Sequence, residues 1–175
     1  MNANATLFKP TDVLVTLAEK EYRIVFDLNA FCEIEKMYES VDSVLQMLLG
    51  VNELPDMEAI TYKGEKAIAE DILIAGIPLA SYVAKVNNKK EAKHSDTLNL
   101  LWVGLLHDSA VYNEHDEIIS YSLSKSKVGS MVTFKNLRLI NMQIITAILR
   151  DLIPPNAETK NEEAPVLTLA PKTEA

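Results

Sequence analysis

The sequence predicts a mainly α-helical protein, a helical domain with a small β-hairpin at its N-terminal end. Of its 175 residues, 48% are hydrophobic, 24% are charged and five are glycine, which suits one well-buried core better than two domains of ordinary size. Apolar residues recur at helical spacing in several stretches, whereas strict alternation is confined to the beginning of the chain. We therefore expect a single domain over residues 13–153, a flexible N-terminus at 1–12 and a disordered acidic tail at 154–175.

Two alternating runs near the N-terminus predict the hairpin, which spans residues 13–27. Apolar side chains at every second position over 13–17 and 22–26 are typical of strands with one buried face. No glycine lies between the two runs, so a turn of four residues is favoured over a tight turn of two. Because an isolated hairpin is only marginally stable in water, we expect this one to pack against helices.

Two helices are predicted directly after the hairpin. Asp27 or Asn29 can cap the first helix, and Cys32 within it is interpreted as a small core residue. Ser40 can cap the second helix, and Gly50 can end it in the left-handed conformation. The apolar stripe of the first helix consists of Ala30, Phe31, Ile34, Met37 and Tyr38.

The segment after the second helix has the least regular pattern in the chain. Residues 57–62 fit a helix, a further helix is expected over 67–75, and the apolar residues of 79–86 fit one or two more helical turns. The run 72–77 also fits a strand, and that alternative stays open. Residues 87–93 are polar and charged, which is typical of an exposed loop.

The most apolar stretch of the chain, residues 98–108, contains the only tryptophan. Ser95 can cap a core helix here that ends near His107, whose position suits the negative end of the helix dipole. Gly104 is expected to let a neighbouring helix approach closely. The expected buried face consists of Leu98, Leu101, Trp102, Leu105 and Leu106.

Two further helices are predicted after this central one. Asn113 and Asp116 have the spacing of a capping box, which predicts a short helix that runs to about Leu123. Residues 122–130, SLSKSKVGS, are interpreted as a polar linker. A long amphipathic helix follows, and the prolines at 154–155 end it. Its apolar stripe consists of Leu137, Ile140, Ile144, Ile145, Ile148, Leu149 and Leu152.

The sequence contains no catalytic or metal-binding motif. Its histidines, His94, His107 and His115, lack the paired cysteines or the HExxH spacing that anchors a zinc site. Glu35 and Glu39 share a helix face and are interpreted as solvated side chains. We therefore expect a protein that is not an enzyme and needs no cofactor.

Composition also restricts the compartment and the partners. One cysteine and a net charge of −8 favour a reducing compartment and argue against nucleic acid as the main partner. The N-terminus lacks the pattern of a signal peptide, and no apolar run is long enough to cross a membrane. A cytosolic protein that binds neither membranes nor nucleic acids is expected.

Positive charge is concentrated late in the chain. No Asp or Glu occurs between residues 118 and 150, whereas five basic residues do: Lys125, Lys127, Lys135, Arg138 and Arg150. One interpretation is that this basic region complements the acidic body of the same molecule. The other is a docking face for an acidic partner helix, for which Lys125, Lys127, Lys135 and Arg138 are the candidate partner-binding residues. Both interpretations stay open.

Three segments in order resemble the tail assembly chaperones of long-tailed bacteriophages and related prophages. The first is YRIVFDLNAFCEIEKMYESVDSVLQML at 22–48, the second is LLWVGLLHD at 100–108, and the third is the helix predicted from 113 together with the long helix after it. The resemblance covers about half of the chain and excludes 51–94, which is longer than the link in many relatives. The signature residues are Phe26, Asp27, Asn29, Phe31, Trp102, Gly104 and Leu105.

The resemblance implies a chaperone without an active site. Members of this family bind the tape measure protein in the cytoplasm of the infected bacterium, help to deliver tail tube proteins to it, and are absent from the mature virion. Self-association of the chain is expected as well. Two alternatives remain open: a structural tail completion or connector protein that is retained in the virion, and a small helical enzyme or regulator.

Overall fold

The computed structural model describes residues 9–86 and 92–153. The expected acidic tail, the tip of the expected loop at 87–91 and residues 1–8 lie outside the described residues. About half of the structure is helical and about 18% is strand, arranged in small antiparallel sheets. The expected N-terminal hairpin is present, but the fold is mixed α+β rather than mainly α.

The N-terminal hairpin consists of β1 (Val13–Leu17) and β2 (Lys20–Ile24). Pairing continues to the ends of both strands, so that only Ala18 and Glu19 form the turn, with φ angles of 47° and 66°. Positive φ at both central residues is the geometry whose twist matches that of the flanking strands. The prediction of a four-residue turn is therefore wrong. Pairing of Leu17 with Lys20 leaves only two residues for the turn, and they adopt positive φ although neither is glycine.

Helix α1 (Leu28–Met37) begins at Asp27, whose Oδ1 accepts a hydrogen bond of 2.9 Å from the N–H of Ala30. Of the two expected caps, Asp27 is therefore the one used, and Asn29 lies exposed in the first turn. Cys32 is exposed as well, since the buried face of the helix consists of Ala30 and Ile34 and does not include Cys32. The interpretation of Cys32 as a core residue is wrong.

Helix α2 (Val41–Leu49) confirms its prediction at both ends. Ser40 accepts the N–H of Ser43 at 3.1 Å, and the Ser43 hydroxyl accepts the N–H of Ser40 in return. Gly50 ends the helix with φ 69°, a conformation that glycine adopts without strain.

The next segment forms a three-stranded antiparallel sheet in the order β3 (Ile60–Tyr62), β4 (Ile72–Ile74) and β5 (Ile77–Pro78). The helices predicted over 57–62 and 67–75 are wrong, and the alternative of a strand within 72–77 is confirmed. Helix α3 (Leu79–Lys85) follows as expected.

In β3 and β4, burial alternates from one residue to the next. Ile60, Tyr62, Ile72 and Ile74 are each at most 5% exposed, while the residue between each pair is less buried. In an apolar run this short, alternation with a period of two residues cannot be distinguished from the apolar face of a helix.

The central stretch forms two helices, α4 (His94–Gly104) and α5 (Leu106–Ser109), separated at Leu105. Helix α4 begins just after Lys93, whose N–H donates to the Asp96 carboxylate at 3.0 Å, so Ser95 is not the cap. Leu98 and Trp102 are only half-buried. The face of α4 that enters the core consists of Thr97, Leu100, Leu101, Val103 and Gly104.

A second hairpin, β6 (Ala110–Tyr112) and β7 (Ile118–Tyr121), occupies the position of the helix predicted over 113–123. Asn113 Oδ1 accepts the N–H groups of both His115 and Glu117 at 2.9 Å. The side chain that was expected to cap a helix therefore closes the loop of a hairpin, a known competing use of asparagine.

Residues 122–130 contain a helix rather than a linker. Helix α6 (Lys125–Met131) is capped by Ser124, which accepts the N–H of Lys127 at 3.2 Å, and Val128 fixes the helix in the core with 0% exposure. A short 3-10 turn, Phe134–Asn136, leads into the last helix.

Helix α7 (Leu137–Leu152) confirms its prediction and lies against α4, α2 and the N-terminal hairpin. The middle of the helix is buried on every face, because all six consecutive residues of 144–149 are buried, including the polar Thr146 at 3% exposure. The ends of the expected stripe are less covered: Leu137 is half-buried and Leu152 is 37% exposed. Together, α4 and α7 form the centre of the core.

Candidate partner-binding surface

Several of the residues that carry the resemblance lie together where the N-terminal hairpin meets α4. A Cβ atom built on Gly104 would lie 2.6 Å from Ile24 Cγ2 and 3.2 Å from Phe26 Cζ. The Gly104 carbonyl also accepts the N–H of Val25 at 2.9 Å. Gly104 thus permits a close approach, but the neighbour is the end of β2 rather than the helix that was expected.

Phe26, Phe31 and Leu105 belong to the same junction. Phe26 and Leu105 are at most 2% exposed, and the ring centroids of Phe26 and Phe31 are 6.2 Å apart. The N–H of Phe26 donates to Asp151 at the end of α7 at 2.7 Å. These signature residues hold the fold together and are not accessible to a partner, Phe31 excepted, which is half-buried.

Two ion pairs link the N-terminal hairpin and α1 to α5. His107 Nδ1 lies 2.9 Å from Asp27 Oδ2, and Arg23 donates to both oxygens of Asp108 at 3.1 and 2.6 Å. Burial opposes ionisation of Asp27, but the hydrogen bond from His107, the N–H of Ala30 and the charge of His107 outweigh it. The pKa of Asp27 is therefore held below its ordinary value of 3.8. The sequence analysis placed His107 at the negative end of a helix dipole, and the structure adds a direct contact with the Asp27 carboxylate.

Trp102 holds the base of the second hairpin. Its indole N–H donates to the carbonyl of Leu123 at 3.0 Å, and its ring meets Tyr121 edge-on at 6.5 Å. Lys125 Nζ lies 5.8 Å from the Trp102 ring centre and donates to Asn99 Oδ1 at 3.0 Å. Lys125 is thus engaged within the molecule.

An open apolar groove lies between α4, α6 and the start of α7, and we call it the α4–α6 groove. It has a volume of about 220 Å³. Phe134 stands at its rim with 80% of its surface exposed and meets His94 edge-on at 5.4 Å. The apolar part of its lining consists of Leu98, Leu101, Gly129, Val132, Phe134 and Leu137.

Three of the candidate cations lie on the elements that form this groove. Lys127 is on α6, Lys135 follows Phe134, and Arg138 follows Leu137 at the start of α7; all three cations are exposed. Within residues 9–86 and 92–153, none of the three is within salt-bridge distance of a carboxylate. Their charges are therefore free to meet an acidic partner.

Arg150 behaves differently from the other basic residues of this region. It donates to the carbonyls of Thr11 at 3.0 Å and Ile24 at 3.3 Å, and it pairs with Asp151 at 2.7 Å. Its side chain is only 10% exposed. Arg150 is thus engaged within the molecule, by a carboxylate of its own helix and two backbone carbonyls, while the docking interpretation remains for Lys127, Lys135 and Arg138.

A second groove of about 550 Å³ runs between β1, residues 66–70 and α7. Its exposed rim includes Leu139 at 61% and Ile68 at 43%. Gln143 donates to the Leu14 carbonyl at 2.7 Å, whereas its own Oε1 is buried without a hydrogen-bond partner among the described residues. This groove could not be predicted from the sequence pattern, which favoured a helix over 67–75.

The β6–β7 hairpin is the other surface that the sequence analysis missed. It exposes Val111 at 39%, Tyr112 at 53%, Ile118 at 38% and Ile119 at 62%. Its loop carries Glu114, Asp116 and Glu117, all of them exposed. The β-branched residues of AVY and IISY were the available signal, but the apparent capping box of Asn113 outweighed it.

Across the described parts of the chain, no group of three or more histidine, cysteine, aspartate or glutamate side chains is placed to hold a metal ion. No helix in those ranges has both the length and the apolar character needed to cross a bilayer.

The surface features that could bind a partner are therefore the two apolar grooves, the exposed cations without a carboxylate partner among the described residues, and the exposed acidic β6–β7 hairpin. Comparison with models of known families, with curated proteins and with solved structures finds no match to this chain.

Proposed function

We propose that this protein is a non-enzymatic tail assembly chaperone, which binds the tape measure protein and helps to recruit tail tube proteins in the cytoplasm of an infected bacterium. The observation that carries the proposal is the open α4–α6 groove, with Phe134 80% exposed at its rim and with the exposed Lys127, Lys135 and Arg138 on the elements that form it. An amphipathic helix can bury its apolar face in such a groove. Acidic residues on the flanks of that helix can then meet the cations.

The resemblance supports this proposal through two of its three segments. Gly104 from LLWVGLLHD lies against Phe26 from the first segment, so residues far apart in sequence form one structural unit. The third segment supports it less, because the helix predicted over 113–123 is a hairpin and only α7 matches the expectation. The proposal therefore depends more on the groove than on this last segment.

The size of the groove suits reversible binding. A volume of about 220 Å³ accommodates one or two large apolar side chains, and a few anchoring residues commonly supply most of the energy of such a contact. A chaperone has to release its client, so a small apolar site with charged surroundings fits the role. Neither a cofactor nor a metal ion takes part.

Co-expression with the tape measure protein of the same phage tests this function. We expect the wild-type chain to raise the soluble yield of the tape measure protein and to co-purify with it. The double variant Lys135→Glu/Arg138→Glu is expected to lose most of both effects, because it reverses two exposed charges next in sequence to the groove residues Phe134 and Leu137. The matched control is Lys63→Glu/Lys85→Glu, which changes two exposed cations on elements that do not contribute to the groove. Failure of the wild-type chain to bind or solubilise the tape measure protein would contradict the proposal.

One observation favours a structural component of the virion as the second candidate. The exposed apolar side chains of the β6–β7 hairpin, Ile119 above all, suit a permanent contact in an assembled particle. Mass spectrometry of purified virions separates the two functions. A chaperone is expected to be absent, and recovery of this chain in amounts similar to known tail proteins would favour the structural role.

A further inference from the structure

We infer that the β6–β7 hairpin of one copy of this chain docks into the α4–α6 groove of a second copy. Both surfaces are exposed and apolar, and their charges are opposite. The contact itself does not depend on the proposed function. Its regulatory consequence does, because a groove that holds a hairpin cannot hold a client helix.

The hairpin does not occupy the groove of its own chain. Trp102 holds the hairpin base through the Leu123 carbonyl and the edge of Tyr121. On the inner face, Tyr112 and Ile118 border a narrow cleft that also involves Asp27 and its neighbours on α1 and α5. Held in this way, the hairpin contributes no residue to the lining of the groove and Ile119 stays 62% exposed, so a groove that receives it belongs to another copy.

The outer face of the hairpin presents one prominent side chain. Val111 pairs with Ser120 and Tyr112 pairs with Ile118, so that Ile119 forms a β-bulge without a partner opposite it. Bulges turn a side chain out of the regular alternation of a strand. Ile119 is 62% exposed as a result, which is more than any other apolar residue of this hairpin.

The groove is of the right size for this side chain and one neighbour. Its volume of about 220 Å³ suits one or two large apolar side chains, and the half-buried Leu98, Val132 and Leu137 line it. Phe134 at the rim exposes most of its ring. Docking would cover Ile119 and Phe134 together, and removing both from water favours association.

Charge determines which pair of surfaces meets. Two hairpins placed against each other would bring Glu114, Asp116 and Glu117 of both copies together, which opposes a symmetric hairpin–hairpin contact. The elements that form the groove carry Lys127, Lys135 and Arg138 instead, all exposed and with no carboxylate within salt-bridge distance of them in the described residues. Hairpin to groove is therefore the complementary pairing.

A contact between two different surfaces leaves one free hairpin and one free groove on every pair. Such heterologous contacts continue into rings or open chains. In the free protein most grooves would then be covered, and a client helix has to displace a hairpin. Only a client helix that binds the groove more strongly than the hairpin does, or that is present in excess, then occupies it.

Light scattering coupled to size-exclusion chromatography of the full-length chain, over a range of concentrations, tests this contact. The wild type is expected to form species larger than a monomer. Ile119→Asp on the hairpin and Phe134→Asp at the groove are each expected to weaken association about tenfold or more. Met57→Asp is the matched control, because Met57 is 43% exposed and lies outside both surfaces. Circular dichroism verifies that each variant is folded.

Mixing the two variants gives the decisive result. Ile119→Asp retains a functional groove and Phe134→Asp retains a functional hairpin, so an equal mixture is expected to form dimers that grow no further. The charge pair gives a second test: Glu114→Lys and Lys135→Glu should each weaken association and should restore it when the two variants are mixed. A mixture that remains monomeric in both tests would overturn the inference.

Two outcomes separate this inference from the proposed function. If the wild type is monomeric at every concentration while a synthetic acidic amphipathic peptide binds the groove, hairpin docking is overturned and the chaperone proposal stands. If the chain self-associates through Ile119 and Phe134 but does not bind the tape measure protein, the docking inference stands and the chaperone proposal fails.

Discussion

At the scale of single residues, Gly104 is the position where one added carbon does most damage. Its Cβ would lie 2.6 Å from Ile24 Cγ2, in a junction where Ile24 is 0% exposed. We expect Gly104→Ala to lower the free energy of unfolding by about 1–3 kcal/mol, the usual cost of overpacking a core. Urea denaturation monitored by Trp102 fluorescence measures this loss.

The cause of that loss can be tested with a double-mutant cycle. Ile24→Ala removes the Cγ2 atom that the new methyl group would meet, so the two substitutions together should cost less than the sum of the two alone. Strict additivity would show that the contact between residues 24 and 104 is not the origin of the effect.

Asp27 gives the molecule a dependence on acid pH. Because its pKa in the folded state is lowered from 3.8, the unfolded chain binds its proton first as the pH falls. The stability that Asp27 contributes is therefore fully present above its unfolded pKa and is lost as the pH falls through the lower, folded pKa. We expect the difference in unfolding free energy between wild type and Asp27→Asn to be present at pH 5 and to shrink as the pH falls below about 4. A difference that stays constant down to pH 2.5 would argue against an ionised cap.

At the scale of elements, the β6–β7 loop depends on one side chain. Asn113 Oδ1 accepts the N–H groups of His115 and Glu117, and its Nδ2 donates to the Glu117 carboxylate at 2.8 Å. We expect Asn113→Ala to destabilise this hairpin by about 1–2 kcal/mol while the rest of the fold is retained. Hydrogen exchange should then accelerate at residues 115–120 and remain unchanged in α7. Equal acceleration in both regions would mean that the hairpin does not open independently.

The length of a pattern explains which elements could be predicted. Helices α2 and α7 have repeated apolar turns with clear ends, so Ser40, Gly50 and the stripe around Ile144 were sufficient. The strand residues Ile60–Tyr62 and Ile72–Ile74 are only three long, too short for a period of two to be separated from 3.6.

Local side-chain chemistry was ambiguous in the remaining elements. Asn113 fits a helix cap and a hairpin loop equally well, and only the pairing of β6 with β7 decides between them. Ser124 begins a true helix in a segment that is otherwise polar, where the single buried residue Val128 supplies the tertiary contact that composition does not reveal.

At the scale of the whole molecule, the sequence indicated the charge of the candidate surface but not its shape. The absence of carboxylates over 118–150 selects Lys125, Lys127, Lys135 and Arg138, and only the structure shows that Lys125 is engaged with Trp102 and Asn99. The groove is formed by α4 and by residues 129–137, about thirty positions apart in the chain. Its apolar walls exist only after these elements pack, so no local pattern contains them.

Arg150 connects the end of α7 to the beginning of the chain. Its guanidinium satisfies the Thr11 and Ile24 carbonyls and pairs with Asp151, with only 10% of the side chain exposed. We expect Arg150→Gln to cost about 3 kcal/mol, because it removes the cationic partner of the Asp151 carboxylate and the donor that satisfies the Thr11 and Ile24 carbonyls. The exposed Arg138→Gln is the matched control and should change stability by less than about 0.5 kcal/mol. Thermal unfolding followed by circular dichroism measures both, and equal effects would contradict this role for Arg150.

The contacts of α7 with the first strands also set the order in which the molecule can be completed during its synthesis. The ribosome produces β1 and β2 early, yet the side chains that bond to them, Gln143 and Arg150, follow the hydrogen-bonded partners Leu14 and Thr11 by 129 and 139 residues. Contacts between positions so far apart form slowly, since the intervening chain has to close a long loop. Gly104 of α4 reaches Ile24 and Phe26 earlier, but the part of the first hairpin that α7 covers stays open to water until the last helix has been made. Translation of α7 is therefore the step that completes the native structure.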